Sequence, residues 1–398
     1  PLPAHWRVVR LGEVAEVKYG KARPKQDGKI PVIGSGGIYD WTLEPFVKFP
    51  TIIIGRKGTA GRVWFSANPC WVSDTAFYLK WKELFEVSFI YYWFLLNPLS
   101  GEHARTTLPS LQRGDLESRL IPLPPLDEQR AIAHVLRAVQ QAQEAARRVI
   151  AALGALKKSL LSYLFRYGPV PLEAAARLPL RQTELGPLPA HWRVVRLGEV
   201  AEKTRQINPA KAPNSLFKYI DVSSIDNEGL IIKTYQEFTG GNAPSRARKE
   251  IKQNDILFAT VRPYLKRIAL VSSDFDGQVC STAFCVIRAD KKFVEPNFVF
   301  YAVSRDEFVA RVSGHQRGSS YPAVIDSDVL REYIPLPPLD EQRAIAHVLR
   351  AVDGRLSAEQ ARLAALQSLF RTLLYELMSG RLRIPAGRLA EFSEQFKT

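Results

Sequence analysis

Basic side chains stand in turns beside glycine, aromatic and hydroxyl residues at six places in this chain. "KYGKARPK", 18–25, offers Lys18, Tyr19, Lys21, Arg23 and Lys25, and "KTRQINPAK", 203–211, offers Lys203, Arg205 and Gln206. "GRKGTAGR", 55–62, offers Arg56, Lys57 and Arg62, and "VRPYLKR", 261–267, offers Arg262, Tyr264, Lys266 and Arg267. "RTTLPSLQR", 105–113, supplies Arg105, Thr106, Thr107, Ser110 and Arg113. "GHQRGSSYPA", 314–323, supplies His315, Gln316, Arg317, Ser319, Ser320 and Tyr321. Such side chains can reach both the phosphates and the base edges of a duplex. They are the candidate DNA-binding residues. Composition agrees: 55 Lys and Arg against 40 Asp and Glu give +15, a balance that points to an anionic partner, most often nucleic acid. The charge is spread, with +5 on residues 17–120 and +4 on 203–333, so it does not locate a site. Any single cation among them has an alternative reading as a solvated surface residue.

Catalytic chemistry is poorly supported. "VIGSGGIYD", 32–40, lacks the GxGxxG spacing of a dinucleotide loop, and no βαβ unit follows; a tight turn suits it better. "GRKGTAG", 55–61, lacks the Walker A spacing. "NPCW", 68–71, has the outline of the loop that holds a flipped base in amino-methyltransferases, but Cys70 stands where that loop needs a second proline. "EIK", 250–252, is too short to define a nuclease centre. The six His form no metal-ligand pattern, and Cys70, Cys280 and Cys285 suit neither a disulfide framework nor a four-ligand zinc site. They read as partly buried thiols of a reducing cytoplasm. No metal site and no cofactor of the chain's own is expected.

The elements that must position these turns are announced by repetition. "PLPAHWRVVRLGEVAE" fills 1–16 and returns unchanged at 187–202, and "IPLPPLDEQRAIAHVLRAV" fills 121–139 and returns at 334–352. The chain therefore reads as two cycles of constant entry, variable segment and constant helix. The variable segments, 17–120 and 203–333, alternate short β-rich runs ("TIIIG", "AFYLKW", "DILFATV", "TAFCVIRA") with Gly, Pro, Asn and Ser turns. Each holds one apolar helix candidate, "EVSFIYYWFLL" or "PNFVFYAVSRDEFVARV". Their order matches, which predicts one mixed α/β fold used twice. Trp6, Val8 and Leu11, with Trp192, Val194 and Leu197, are predicted to seat each domain in its core.

The second repeat opens a helix. Pro124 and Pro125 keep the chain extended, Asp127 can cap, and Glu128 and Gln129 suit the positive end of a helix. Apolar residues then recur at 3–4 spacing: Ile132, Leu136, Val139, Ala146, Ile150, Leu153, Leu160 and Leu164. The copy continues with Ile345, Leu349, Val352, Leu356, Leu363, Leu366, Phe370, Leu373 and Leu377. This is the stripe of a coiled-coil seam, or of one face in a helical bundle. About 38 residues at 1.5 Å each give a rod of about 57 Å. Each rod needs a partner, and its duplicate is the obvious one, antiparallel if the halves are related by a two-fold. Gln143 and Lys157 interrupt the first seam where Leu356 and Phe370 stand in the second, unequal positions able to fix register.

The entries "LPAHWRVVRLGEV", the helix openings "IPLPPLDEQRAIA", "VIGSGGI" and the helix ends "LLSYLFRYG" and "LLYELMSGRLRIP" together resemble the specificity subunit of a type I restriction-modification system, over essentially the whole chain. The resemblance implies two target-recognition domains of similar fold, joined by two long conserved helices in an antiparallel coiled coil. The parts would be a first recognition domain (1–125), a first spacer helix (126–168), a linker (169–186), a second recognition domain (187–338), a second spacer helix (339–382) and a tail (383–398). It implies a non-catalytic subunit reading a bipartite, asymmetric double-stranded DNA target. Its partners would be two methyltransferase subunits and up to two motor-nuclease restriction subunits, and these would carry S-adenosylmethionine, ATP and Mg. Neither a signal peptide nor a run of about 18 apolar residues is present, which predicts no membrane association and a cytoplasmic protein. The first residue is not Met and lies within a repeat, so a short native N-terminus would precede it. A stand-alone regulator bridging two DNA sites is the alternative; a fused enzyme would need the motifs missing above.

Overall fold

A computed structural model describes residues 2–24, 26–99, 110–318 and 322–385. The chain divides into two units, residues 1–149 with 359–398, and residues 150–358.

The first unit opens with β1 (Arg7–Arg10), α1 (Leu11–Val14) and β2 (Ala15–Tyr19). A hairpin of β3 (Ile30–Gly34) and β4 (Gly37–Thr42) follows, then β5 (Thr51–Gly55), β6 (Val63–Ser66), β7 (Trp71–Val72) and β8 (Ala76–Trp81). The described remainder is α2 (Val87–Leu96), α3 (Arg113–Glu117), β9 (Leu120–Leu123) and α4 (Leu126–Tyr167). One sheet has the order β2-β8-β5-β6, a second the order β4-β3-β7 with β3 parallel to β7, and β1 pairs with β9. Strand β5 is buried throughout, as its unbroken Ile run requires. Helix α2 closes the core with Phe89, Ile90 and Phe94.

The second unit repeats this plan. Its linker is folded rather than extended: α5 (Leu172–Ala175) leads to a hairpin of β10 (Leu180–Thr183) and β11 (Gly186–Pro189), which takes in the first residues of the entry repeat. Then come β12 (Arg193–Arg196), β13 (Ala201–Glu202), β14 (Leu216–Ile220), the small pair β15 (Ile225–Asp226) and β16 (Ile231–Ile232), β17 (Gln236–Thr239) and β18 (Ala247–Glu250). After them lie β19 (Ile256–Ala259), β20 (Ile268–Leu270), β21 (Val279–Ser281), β22 (Phe284–Ala289), α6 (Pro296–Ser304), α7 (Asp306–Ser313), α8 (Asp326–Arg331), β23 (Tyr333–Leu336) and α9 (Leu339–Met378). The sheet orders are β13-β22-β19-β20 and β17-β14-β21-β18, with β14 parallel to β21 and β12 paired with β23. Sheet for sheet this is the first unit with an added edge, β18, and two further pairs, β15–β16 and the linker hairpin β10–β11. The expected single fold, used twice, is present.

Each long helix contributes to both units. In the first unit, Ile132 and Leu136 of α4 share a core with Leu374 and Leu377 of α9, while Gln143 Nε2 donates to Leu366 O at 3.1 Å. In the second, Leu164 shares a core with Ile345 and Leu349, and Lys157 Nζ lies 2.7 Å from Asp353. In both, residue numbers rise along one helix as they fall along the other, so the helices pair antiparallel. Every predicted seam residue is buried or half-buried.

Four details correct the sequence reading. Val8 is 54% exposed, Val194 is only half-buried, and the inward residues are Val9 and Val195, because β1 and β12 alternate faces. The apolar helix of the second variable segment breaks at Arg305, which is extended (ψ 145°) and lays its guanidinium over the Phe165 ring at 5.1 Å. Helix α9 ends at Met378 rather than 382. Helix α4 begins at Leu126, so Asp127 lies in its first turn instead of capping it. Glu128 is buried there: it receives His5 Nε2 at 2.8 Å and Trp6 Nε1 at 3.2 Å. Gln129 donates to Pro124 O and accepts from the Glu86 N–H, fastening α2's start to the spacer helix.

Candidate functional site

In the first unit four separate stretches of sequence meet at the β5–β6 turn. The turn closes with Gly55 N–H donating to Arg62 O at 2.8 Å. Arg56 N–H donates to Thr75 O at 2.9 Å, Leu111 N–H donates to Arg56 O at 3.1 Å, and Lys57 bridges Ser110. The β3–β4 turn joins them, with Ser35 N–H donating to Thr75 Oγ1 at 3.2 Å and Trp64 Nε1 to Ser35 O at 3.4 Å.

These contacts gather Tyr19, Arg56, Lys57, Arg62 and Ser110. The Arg56 guanidinium lies over Tyr19 at 5.2 Å and donates to Asp74 O at 3.1 Å; Arg62 lies over Trp64 at 4.5 Å. Aromatic faces hold both cations while Lys57 and Ser110 remain exposed. Lys21 sits over Phe46 at 4.6 Å on the neighbouring stretch. Other candidates are occupied by acids. Arg23 pairs with Asp27 and Asp40, Lys18 with Glu16 at 2.9 Å, and Arg113 with Glu117 at 2.6 Å. Lys25, Arg105, Thr106 and Thr107 lie outside the described residues.

The second unit builds the same junction. Ala259 N–H donates to Arg267 O at 3.1 Å, Thr260 N–H to Ala283 O at 2.8 Å, and Val324 N–H to Thr260 O at 2.9 Å. Val261 bridges Ala323, which also bridges Arg317. The mid-domain turn and the loop before the second repeat are thus joined in both units. Arg262 and Tyr264 are exposed on this turn. Arg267 instead points inward, its Nη1 donating to Val222 O at 3.0 Å and Ile225 O at 2.9 Å, which makes it a brace. Lys266 pairs with Asp306, whose carboxyl it holds below the usual range.

Arg317 forks onto Asp328 at 3.0 and 3.3 Å; Asp328 also accepts the Ile325 N–H at 3.0 Å, and this backbone bond first, with the Arg317 guanidinium, lowers its pKa. His315 shares Glu332 with Arg311, at 2.9 and 2.8 Å. The amide nitrogen of Gln316 is buried with no hydrogen-bond partner among the described residues. Segment 203–211 joins a different edge: Ile207 N–H donates to Arg248 O at 2.8 Å, Gln206 bridges Lys249, and Lys203 and Arg205 are exposed. Ser319, Ser320 and Tyr321 lie outside the described residues.

Sequence reasoning missed Trp64, Ser35 and Thr75, which build the first junction, and the carboxylates Asp40, Asp306 and Asp328, which occupy Arg23, Lys266 and Arg317. Trp64 lies two residues beyond the basic turn, in β6. Among the described residues no cluster of three or more His, Cys, Asp or Glu could hold a metal, and the three cysteines are free and buried. No described helix is long and apolar enough to cross a membrane.

Comparison with known proteins gives a consistent result. Residues 3–153 and 189–368 match the family described as type I restriction modification DNA specificity domain. The type I restriction enzyme MjaVIII specificity subunit of Methanocaldococcus jannaschii is 23% identical, across 96% of this chain and 94% of that protein. The S subunit of a type I restriction-modification system from M. genitalium has a similar fold, with a TM-score of 0.64 and 16% identity over 94% of this chain and 96% of that one. The HsdS subunit of Thermoanaerobacter tengcongensis is 46% identical where it aligns, 47% of this chain and 48% of that chain, with a TM-score of 0.43.

Proposed function

Because this chain belongs to the type I restriction-modification DNA specificity family, we propose that each unit reads one half of a bipartite DNA target while α4 and α9 carry the modification subunits. The protein is a non-catalytic specificity subunit. The observation that carries the two-half reading is the junction built twice with matching backbone bonds but unlike side chains: Arg56, Lys57 and Arg62 in one unit, Arg262 and Tyr264 in the other. A shared frame with different contents suits two different short words.

The identical repeats pack against each other in both units. They hold each domain to its helix, so two copies of one partner would meet the same frame twice. That favours two methyltransferase subunits, with restriction subunits added to them. S-adenosylmethionine, ATP and Mg then belong to the partners, and the complex works in the cytoplasm. The alternative of a stand-alone two-site regulator predicts binding without any methylation.

The test is to co-express the chain with its methyltransferase subunit and map adenine methylation across a host genome. A single asymmetric motif of two words separated by a fixed gap is the expected result. Absence of methylation with the partner bound, or one continuous palindromic motif, would refute the reading.

A further inference from the structure

The backbone bonds that close the two mid-domain turns align them: Gly55 corresponds to Ala259, Arg56 to Thr260 and Arg62 to Arg267. Arginine therefore ends the turn in both units, and the two arginines have opposite fates. Arg267 is half-buried, and its Nη1 donates to Val222 O at 3.0 Å and Ile225 O at 2.9 Å. Arg62 is exposed and lies over the Trp64 ring at 4.5 Å. Among the described residues no oxygen accepts from its guanidinium and no carboxylate pairs with it.

The difference has a cause in the sequence. In the second unit residues 221–235 join β14 to β17, and this stretch holds both carbonyls that engage Arg267. In the first unit Ser35 and Gly36 alone join the corresponding strands β3 and β4. With no such stretch to brace, Arg62 is left at the surface. What the short turn supplies instead is a platform. Trp64 Nε1 donates to Ser35 O at 3.4 Å. Gly37, at φ +110°, packs so closely on the indole that a Cβ there would come within 3.0 Å of Cζ2 and Cη2. The backbone is fixed too, since Arg62 O accepts the Gly55 N–H and Trp64 pairs with Ile53 in the β5–β6 ladder. A ring held at so many points steadies the cation that lies over it. A phosphate needs no such precision, and a mobile ammonium serves it. A steadied planar fork gains most where two acceptors lie side by side, as O6 and N7 of guanine do in the major groove.

We infer that Arg62 is the guanine-reading residue of the first unit, taking O6 and N7, with Trp64 as its positioning residue, whereas the corresponding Arg267 is spent on bracing the second unit. This rests on the DNA-reading function proposed above. The experiment selects binders from a randomised duplex pool using the full chain with its methyltransferase subunit, for wild type, Arg62→Met, Trp64→Leu and Trp64→Phe. Wild type should fix a G in one word. Arg62→Met should lose that preference by about tenfold or more, at that position alone, with the other word unchanged and melting little altered. Trp64→Leu should weaken the same preference with Arg62 still in place, and Trp64→Phe, which keeps an aromatic face, should restore most of it. If Trp64→Leu fails to fold, Arg62→Met still decides. Retention of the G by Arg62→Met overturns the inference. So does a two-word target with no such G, or a uniform weakening across sequences with a shallower salt slope, which marks a phosphate contact. An intact preference in a folded Trp64→Leu chain would overturn the positioning role. A wild-type chain selecting no two-word target would instead refute the parent reading.

Discussion

His5 Nε2 and Glu128 Oε2 lie 2.8 Å apart, and the same carboxylate receives Trp6 Nε1; in the second unit His191 and Trp192 meet Glu341 at 2.7 and 2.9 Å. The pairing explains why both repeats are repeated together. The "HW" of one and the "DEQ" of the other form a single joint between a recognition domain and the first turn of its helix. Glu128→Ala or Glu341→Ala leaves a buried indole N–H without its acceptor, a loss of about 1–3 kcal/mol. Calorimetric melting should show a comparable drop for either variant; unchanged melting would mean the joint is incidental.

A second relationship bears on how the helices choose register. Tyr92 OH donates to Gln140 Oε1 at 2.7 Å with Phe370 edge-on to its ring, whereas Tyr301 OH donates to Asp353 at 2.8 Å beside Lys157. The neutral trio of one unit is a charged trio in the other. Burial drives the Tyr92 hydroxyl up to about 12, and burial with Asp353 drives Tyr301 upward as well. Lys157→Phe alone strands a half-buried carboxylate and should cost roughly 1–3 kcal/mol. Adding Asp353→Gln recreates the first unit's set and should recover most of it. A double-mutant cycle with no coupling would contradict this.

Asp328 gives a pH dependence of defined sign. Its pKa is lowered in the folded protein, so its contribution is present above the ordinary carboxylate value of about 3.9 and is lost as pH falls through the lower folded value. Asp328→Asn should therefore destabilise by about 1–3 kcal/mol at pH 7, with the gap to wild type narrowing below about pH 4. A gap independent of pH would show that the carboxylate's charge is not what holds the Arg317 loop.

Since α4 and α9 each pass from one unit to the other, their length should set the gap between the two words. Inserting four residues, about one turn, after both Val149 and Ala358 should change the preferred gap in a methylation map and leave each word intact. An unaltered gap would rule out the helices as the ruler.

Much of this was legible from spacing. The helix from Leu126 to Tyr167 and the strands Thr51–Gly55 and Ala76–Trp81 all follow from local pattern. What was hidden depends on partners far along the chain. Glu128 looks like a helix-dipole residue because His5 lies 123 positions away. "RVVR" does not say which valine faces inward, since two adjacent valines satisfy alternation either way. No Pro or Gly marks the break at Arg305; its stacking on Phe165 accompanies it. The basic turns were visible, but the acids that engage Arg23, Lys266 and Arg317 and make braces of them were not.

The central claim is that each unit reads its own word. It is tested most directly by replacing residues 17–120 with 203–333, so that both units carry the second variable segment, and mapping methylation with the same methyltransferase subunit. The account predicts a target in which the first word has vanished and the second stands on both sides of the gap. A target unchanged from wild type, or one altered in both words, would contradict it.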